Sequence, residues 1–291
     1  MGNPTEQFAN SRPRLVRLAQ ARPLTLFFLL AYVWTWIVLL AALRLPGQLD
    51  DAFAPAIIIA ASCGPTLAAL ITRWLGHRDL KICPVWTGWR PLLAGLAVGL
   101  VGFFVATVVA PAAAIVHSAP SALHWSVLLH WGTYDVNYST FLGGPVGEEP
   151  GWRGFALPRL QSRYGPFKAS VILAPLWAAW HLPLFFVPGW TTASPWQFVL
   201  ILLGVSFLLT SAANWARFGV LAAIALHAFF NTSSRLVNAL GSDLPARSHQ
   251  GWLYALAVFI CGVAIGIATL GKRGRSVGQF FSDENLVPSQ R

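Results

Sequence analysis

Residues 24–43 read LTLFFLLAYVWTWIVLLAAL, twenty positions without one charged side chain. As a helix rising 1.5 Å per residue, this stretch is about 30 Å long, the thickness of the hydrocarbon core of a bilayer. A basic segment precedes it, yet its apolar length exceeds the roughly 7–15 residues of a signal-peptide core, so it reads as a retained span. Working outward, comparable stretches recur at 52–72, 91–114, 139–160, 167–187, 196–213, 218–238 and 252–270. The expected fold class is all-α, a polytopic transmembrane helical bundle of about eight spans. Composition agrees: 56% of residues are hydrophobic, 10% are charged and the mean hydropathy is +0.59, outside the range of soluble globular domains.

The formal charge of +10 would suggest a polyanionic partner in a soluble protein, but here Lys and Arg are sorted by side. Arg12, Arg14, Arg17 and Arg22 precede the first stretch, and Arg73, Arg78, Lys81 and Arg90 join the second to the third. Arg159, Arg163 and Lys168 join the fourth to the fifth, Arg217 the sixth to the seventh, and Lys272, Arg273, Arg275 and Arg291 follow the eighth. Only Arg44, Arg235 and Arg247 fall on the opposite side. Basic residues concentrate in cytoplasmic loops, so both termini are expected in the cytoplasm and no nucleic-acid partner is implied. The expected organisation is a basic segment 1–23, a membrane domain 24–271 with its polar motifs in 137–238, and a cytoplasmic tail 272–291.

Small residues predict helix contacts. Gly95 and Gly99, and likewise Gly262 and Gly266, form GxxxG patterns that let two backbones approach closely. Trp86, Trp89, Trp125, Trp131, Trp190, Trp196 and Trp252 fall near span ends, where an indole suits the headgroup zone. Cys63, Cys83 and Cys261 make no CxxC and are assigned no role. His117, His124 and His130, in the connection 115–134, have no common metal-ligand spacing and read as surface or interfacial residues. No phosphate-binding glycine motif is present.

Ionisable groups at bilayer depth each cost roughly 2.5–3.5 kcal/mol, so each needs a reason. Of the ten acidic residues, Glu148 and Glu149 alone lie well inside a span, in GEEPGWRG at 147–154. On a helix Glu149 and Arg153 are i and i+4 and can neutralise one another, which leaves Glu148, about 100° around the axis, without a local partner. A lone buried carboxylate near an imidazole can act as a general base. Two imidazoles are available: His181, one turn after Trp177 in WAAWH, and His227, one turn before Asn231 in HAFFN. Helical rise puts Glu148, His181 and His227 roughly 18, 21 and 14 Å from the cytoplasmic ends of their spans, at similar depth. Pro150 and Gly151, after Gly143, Gly144 and Pro145, predict an irregular helix beside them.

The ordered set EExxxR, WxxxH and HxxxN, with the run WRGFALPRL at 152–160 after the acidic pair, resembles the CPBP family, which includes the type II CAAX prenyl endopeptidases. The resemblance extends over residues 137–238; one common variant of the second motif has Phe in place of Trp177, an exchange expected to matter little. It implies an intramembrane endopeptidase in which Glu148 and His181 activate a water and His227 and Asn231 stabilise the oxyanion. Glu149 and Arg153 would then support the site. Glu148, His181 and His227 also make a two-His-one-carboxylate set for Zn²⁺ with an open fourth position, although the reading without an obligatory metal is favoured. The implied substrate is a hydrophobic or prenylated peptide reached through membrane lipid, and the expected location is the plasma membrane of a prokaryotic cell. Two rival readings remain: a proton-coupled transporter using the same Glu and His residues, and a non-catalytic scaffold held by polar packing.

Overall fold

Hydrocarbon offers no partner to backbone amides and carbonyls, so each span must close its own hydrogen bonds, and the described residues form helices and no strand. The computed structural model describes residues 13–44, 54–76, 80–104, 129–130, 133, 136–142, 144–187, 190–191, 193–239 and 248–273. Residues 1–12, most of the connection 115–134 with His117, His124, Trp125 and Trp131, the tail beyond Arg273, and Arg78, Gly143 and Arg247 lie outside them.

In chain order the helices are α1 (Arg14–Ala21), α2 (Pro23–Arg44), α3 (Ala54–Ser62), α4 (Gly64–Leu75), α5 (Trp89–Phe104), α6 (Val136–Leu142) and α7 (Pro145–Gly151). A π-helical turn, Trp152–Ala156, leads into α8 (Leu157–Trp180) and a 3-10 turn, Leu182–Phe186. There follow α9 (Pro195–Trp215), α10 (Val220–Ala239) and α11 (Ser248–Arg273).

The division of α2 shows its solvent. Leu26, Phe27, Ala31, Thr35, Leu39 and Ala42 are buried on one face, while Leu29, Val33, Trp34, Ile37 and Leu40 are exposed. An apolar residue on the outer face as well as the inner one is what lipid, not water, accommodates. Pro23–Arg44, Pro55–Leu75, Pro145–Phe186, Pro195–Trp215 and Trp252–Gly271 are long and apolar enough to cross a membrane, and Trp89–Val101 and Val220–Thr232 are shorter apolar helices. The protein is an integral membrane protein built as an all-α bundle.

The middle of the chain differs from the sequence expectation. The predicted spans at 139–160 and 167–187 are joined without a polar loop: helix runs on from Pro145 to Phe186 and breaks only at Gly165, with φ 77° and ψ 163°. At the other end, the stretch at 139–160 is interrupted at Gly144, whose φ of 118° separates α6 from α7. Pro150 and the π turn then make this the least regular helix of the bundle, as the Pro and Gly content requires.

At the centre lies α9, with buried residues from Ile201 to Asn214, and started by a capping box between Ser194 and Gln197. It packs against α5, α8, α10 and α11. A side chain at Gly262 would strike the Gly204 backbone and one at Gly266 the Phe207 ring, while Gly95 faces the carbonyl of Ala212. Both GxxxG patterns therefore mark contacts: Gly95, Gly262 and Gly266 meet α9, and Gly99 meets Leu226 of α10. Segment 80–88 is tied to the π turn, α8 and the start of α10. Cys83 N donates to Gly154 O of the π turn, Val220 N to Pro84 O, and Arg159 reaches Phe155 O and Lys81 O at 2.8 and 2.9 Å.

Candidate active site

The short helix α7 is wedged against other backbone. Side chains at Gly147 or Gly151 would collide with the main chain of Ser62 and Pro65, and Thr66 Oγ1 donates to Gly147 O at 2.6 Å. This close seating fixes Glu148 and Glu149, both buried, at the start of the irregular helix.

Glu149 Oε1 is shared. Arg153 Nη1 donates to it at 2.9 Å, the i,i+4 pair that the spacing predicts, and the His227 Nδ1–H donates to it at 2.7 Å. Glu149 Oε2 and Arg153 Nε and Nη2 are buried with no protein hydrogen-bond partner. The sequence reading joined Glu149 to Arg153 alone, and its link to His227, 78 positions away, has no local signature.

Glu148 has a partner that the sequence reading did not give it. The Trp177 indole Nε1–H donates to Glu148 Oε2 at 2.9 Å, in a buried setting. On the other side, a side chain at Gly144 would strike Glu148 Oε1, so Gly144 serves both the positive φ and the seating of this carboxylate. The expectation that Phe could replace Trp177 at little consequence is therefore corrected: phenylalanine has no donor for Glu148.

Trp177 also touches Arg153, His227 and His181. The Arg153 guanidinium lies 4.3 Å from its ring, the His227 ring meets it edge-on at 5.1 Å, and the His181 ring lies 5.8 Å away. Its carbonyl accepts from His181 Nδ1 at 2.8 Å. A carbonyl can only accept, so Nδ1 carries the proton and His181 Nε2 is left with its lone pair. His227 is held the same way by a carboxylate, and both imidazoles thus have their Nδ1 side engaged and their Nε2 side free of these bonds.

Around His181 stand Trp180, Trp190 and Phe198, with centroids at 4.7, 6.0 and 5.2 Å. Trp190 was expected only as a headgroup anchor; instead it stacks on the His181 ring. Asn231, one turn beyond His227 in α10, is exposed, whereas His227 is buried. The site is thus built from α7, the end of α8 and α10. Glu148, Glu149, Arg153, Trp177, His181 and His227 form one connected set, and Asn231 follows His227 one turn on in α10. Among the described residues, no three His, Cys, Asp or Glu side chains gather into a set that could hold a metal ion.

Residues 133–233 match the family model described as type II CAAX prenyl endopeptidase Rce1-like. This segment contains every residue of the site. That segment is similar to the CPBP/CAAX protease family. A curated relative, the CAAX prenyl protease 2 of Methanococcus maripaludis, is 36% identical over 98 residues, covering 31% of this chain and 36% of the relative. The match to the curated relative therefore spans about a third of either protein, and α1 to α5 and α11 lie outside the residues that the family model matches.

Proposed function

We propose that the protein is a CAAX-type intramembrane endopeptidase, which hydrolyses a peptide bond in a hydrophobic or lipidated peptide that reaches it from the bilayer. The observation that carries this reading is the Trp177-centred set, in which Glu148 and the Nε2 atom of His181 are held from one residue. A water between them would donate one hydrogen to the Glu148 carboxylate and the other to His181 Nε2, leaving its lone pair for the scissile carbonyl. The proton taken from water passes to the leaving amine as the tetrahedral intermediate collapses.

His227 and Asn231 are proposed as the oxyanion donors. With Nδ1–H already given to Glu149, His227 can donate through Nε2 only as the imidazolium, so the shared Glu149 carboxylate also supports that cation. Arg153 holds Glu149 in place.

No obligatory metal is proposed, and the water is activated by Glu148 and His181. Zn²⁺ on Glu148, His181 and His227 is the alternative, and it requires these side chains to draw together, since they do not form a metal-holding set here. A prenylated C-terminal tail and an unmodified apolar peptide are both candidate substrates, and the plasma membrane of a prokaryotic cell is the proposed site of action. The test uses purified full-length protein in nanodiscs with quenched peptides, with and without a farnesyl-cysteine. Cleavage should fall at least about a hundredfold in E148Q and be indifferent to chelators. Loss on chelation with recovery by Zn²⁺ would establish the metal reading; no cleavage by the wild type of any peptide would defeat the protease reading and leave transport or scaffolding.

A further inference from the structure

The last turn of α8 ends inside the bundle and passes through His181 into the 3-10 turn, so its final carbonyls lose the regular i+4 partner of an α-helix. Trp177 O receives the His181 ring and Ala178 O receives His181 N at 3.1 Å. Two further carbonyls of this turn are taken by the first span. Trp36 Nε1 donates to Trp180 O at 3.1 Å, and the Tyr32 hydroxyl donates to Leu176 O. Tyr32 and Trp36 are i and i+4 on α2, with rings 5.4 Å apart, so they present one donor face to one helix end.

We infer that Tyr32 and Trp36 are positioning residues that fix the α8 terminus, and through it the Trp177 carbonyl and indole that orient His181 and Glu148. The inference rests on the proposed function for its kinetic form, but its geometric form stands apart from it. Both residues lie in α2, outside the segment 133–233 that the family comparison covers. Loss of the Trp36 donor abandons the terminal Trp180 O, which finds no water in hydrocarbon, and loss of the Tyr32 donor removes the tether on Leu176 O, so either change frees the turn to rearrange. A shift of the turn moves the carbonyl that fixes the His181 tautomer.

The experiment compares Y32F, W36F and the double variant with W34F. Trp34 is the built-in control, since its Nε1 donates at 2.7 Å to Ala60 O of another helix from the same span. Y32F deletes one oxygen and keeps the ring, so it folds if any variant does. The expected result is a kcat reduced about tenfold in Y32F and W36F with KM within about twofold, against an unchanged W34F. In ¹⁵N-histidine-labelled protein, the His181 signal, identified by its loss in H181Q, should report a fixed Nδ1–H tautomer in the wild type and W34F. In the double variant it should report exchange between tautomers. An unaltered His181 signal in the double variant overturns the inference, whether or not peptide is cleaved. Equal loss of kcat in W34F overturns it in favour of general stabilisation. If the wild type cleaves nothing but the tautomer responds as expected, the protease reading fails and the positioning stands.

Discussion

Trp177 is where the residue-scale argument concentrates, because its indole donor, its ring and its carbonyl each hold a different partner. W177F keeps the aromatic packing and removes the donor to Glu148. The expected outcome is a loss of kcat of about ten- to a hundredfold with little change in KM, measured with the peptide assay. R153A leaves the Glu149 carboxylate buried with only His227 beside it, and breaking such a pair costs about 3–5 kcal/mol. That variant should unfold at markedly lower denaturant in a mild detergent. The sequence carried part of this site plainly: Glu149 and Arg153 are neighbours at helical spacing, and Trp177 and His181 share a face. It did not carry the Glu149–His227 or Glu148–Trp177 bonds, since these depend on how three helices meet. Nor could it distinguish Trp190 from an interfacial tryptophan, because both uses require only an aromatic ring near a helix end.

Elements explain which expectations failed. A break was expected between two spans in the 159–168 region, where three basic residues fall; Gly165 provides it in one residue, and helix continues on both sides. The GxxxG patterns announced close contacts, but α9 meets Gly262 with Gly204 from an unremarkable apolar run and α10 meets Gly99 with Leu226, so the pairing was not legible. Segment 80–88 is held to the π turn by Cys83 N and to α8 by Arg159, whose guanidinium also lies 3.7 Å from the Phe155 ring. Burial pushes the Cys83 thiol from 9.0 up to about 12, against the opposing pull of Arg159. Below pH 9 the thiol is protonated in both folded and unfolded chains. Between 9.0 and about 12 the unfolded chain loses this proton while the folded chain keeps it, so stability from this group falls as pH rises. Cys83 in the native protein should resist maleimide at pH 7.5, and R159A, which frees the segment, should raise its labelling rate; equal rates would show that Arg159 does not hold the segment down.

At the scale of the molecule, the span pattern and the sorting of basic residues were legible because bilayer thickness and backbone satisfaction leave few choices. The expected cytoplasmic termini are open to a direct check: impermeant thiol reagents should label a cysteine placed near Arg14 in inside-out vesicles and not in right-side-out ones. Bundle integrity depends on the close contact of α9 with α11. G262L would force Gly204 and Gly262 apart, and the expected result is a lower melting temperature with loss of activity, since α9 also packs against α8 and α10.

Gly165 has a further consequence. Glu148 and Trp177 are 29 residues apart, a distance of about 43 Å along an unbroken helix, yet they are hydrogen bonded. The chain doubles back at one residue whose φ and ψ almost no side chain of natural handedness adopts. Nothing lies within 4 Å of where a Cβ would be, so the position offers ample room for a methyl group. A tolerance map ranked by crowding would mark it as freely replaceable, whereas the requirement there is one of chirality, and Gly165→Ala should separate base from donor without touching either.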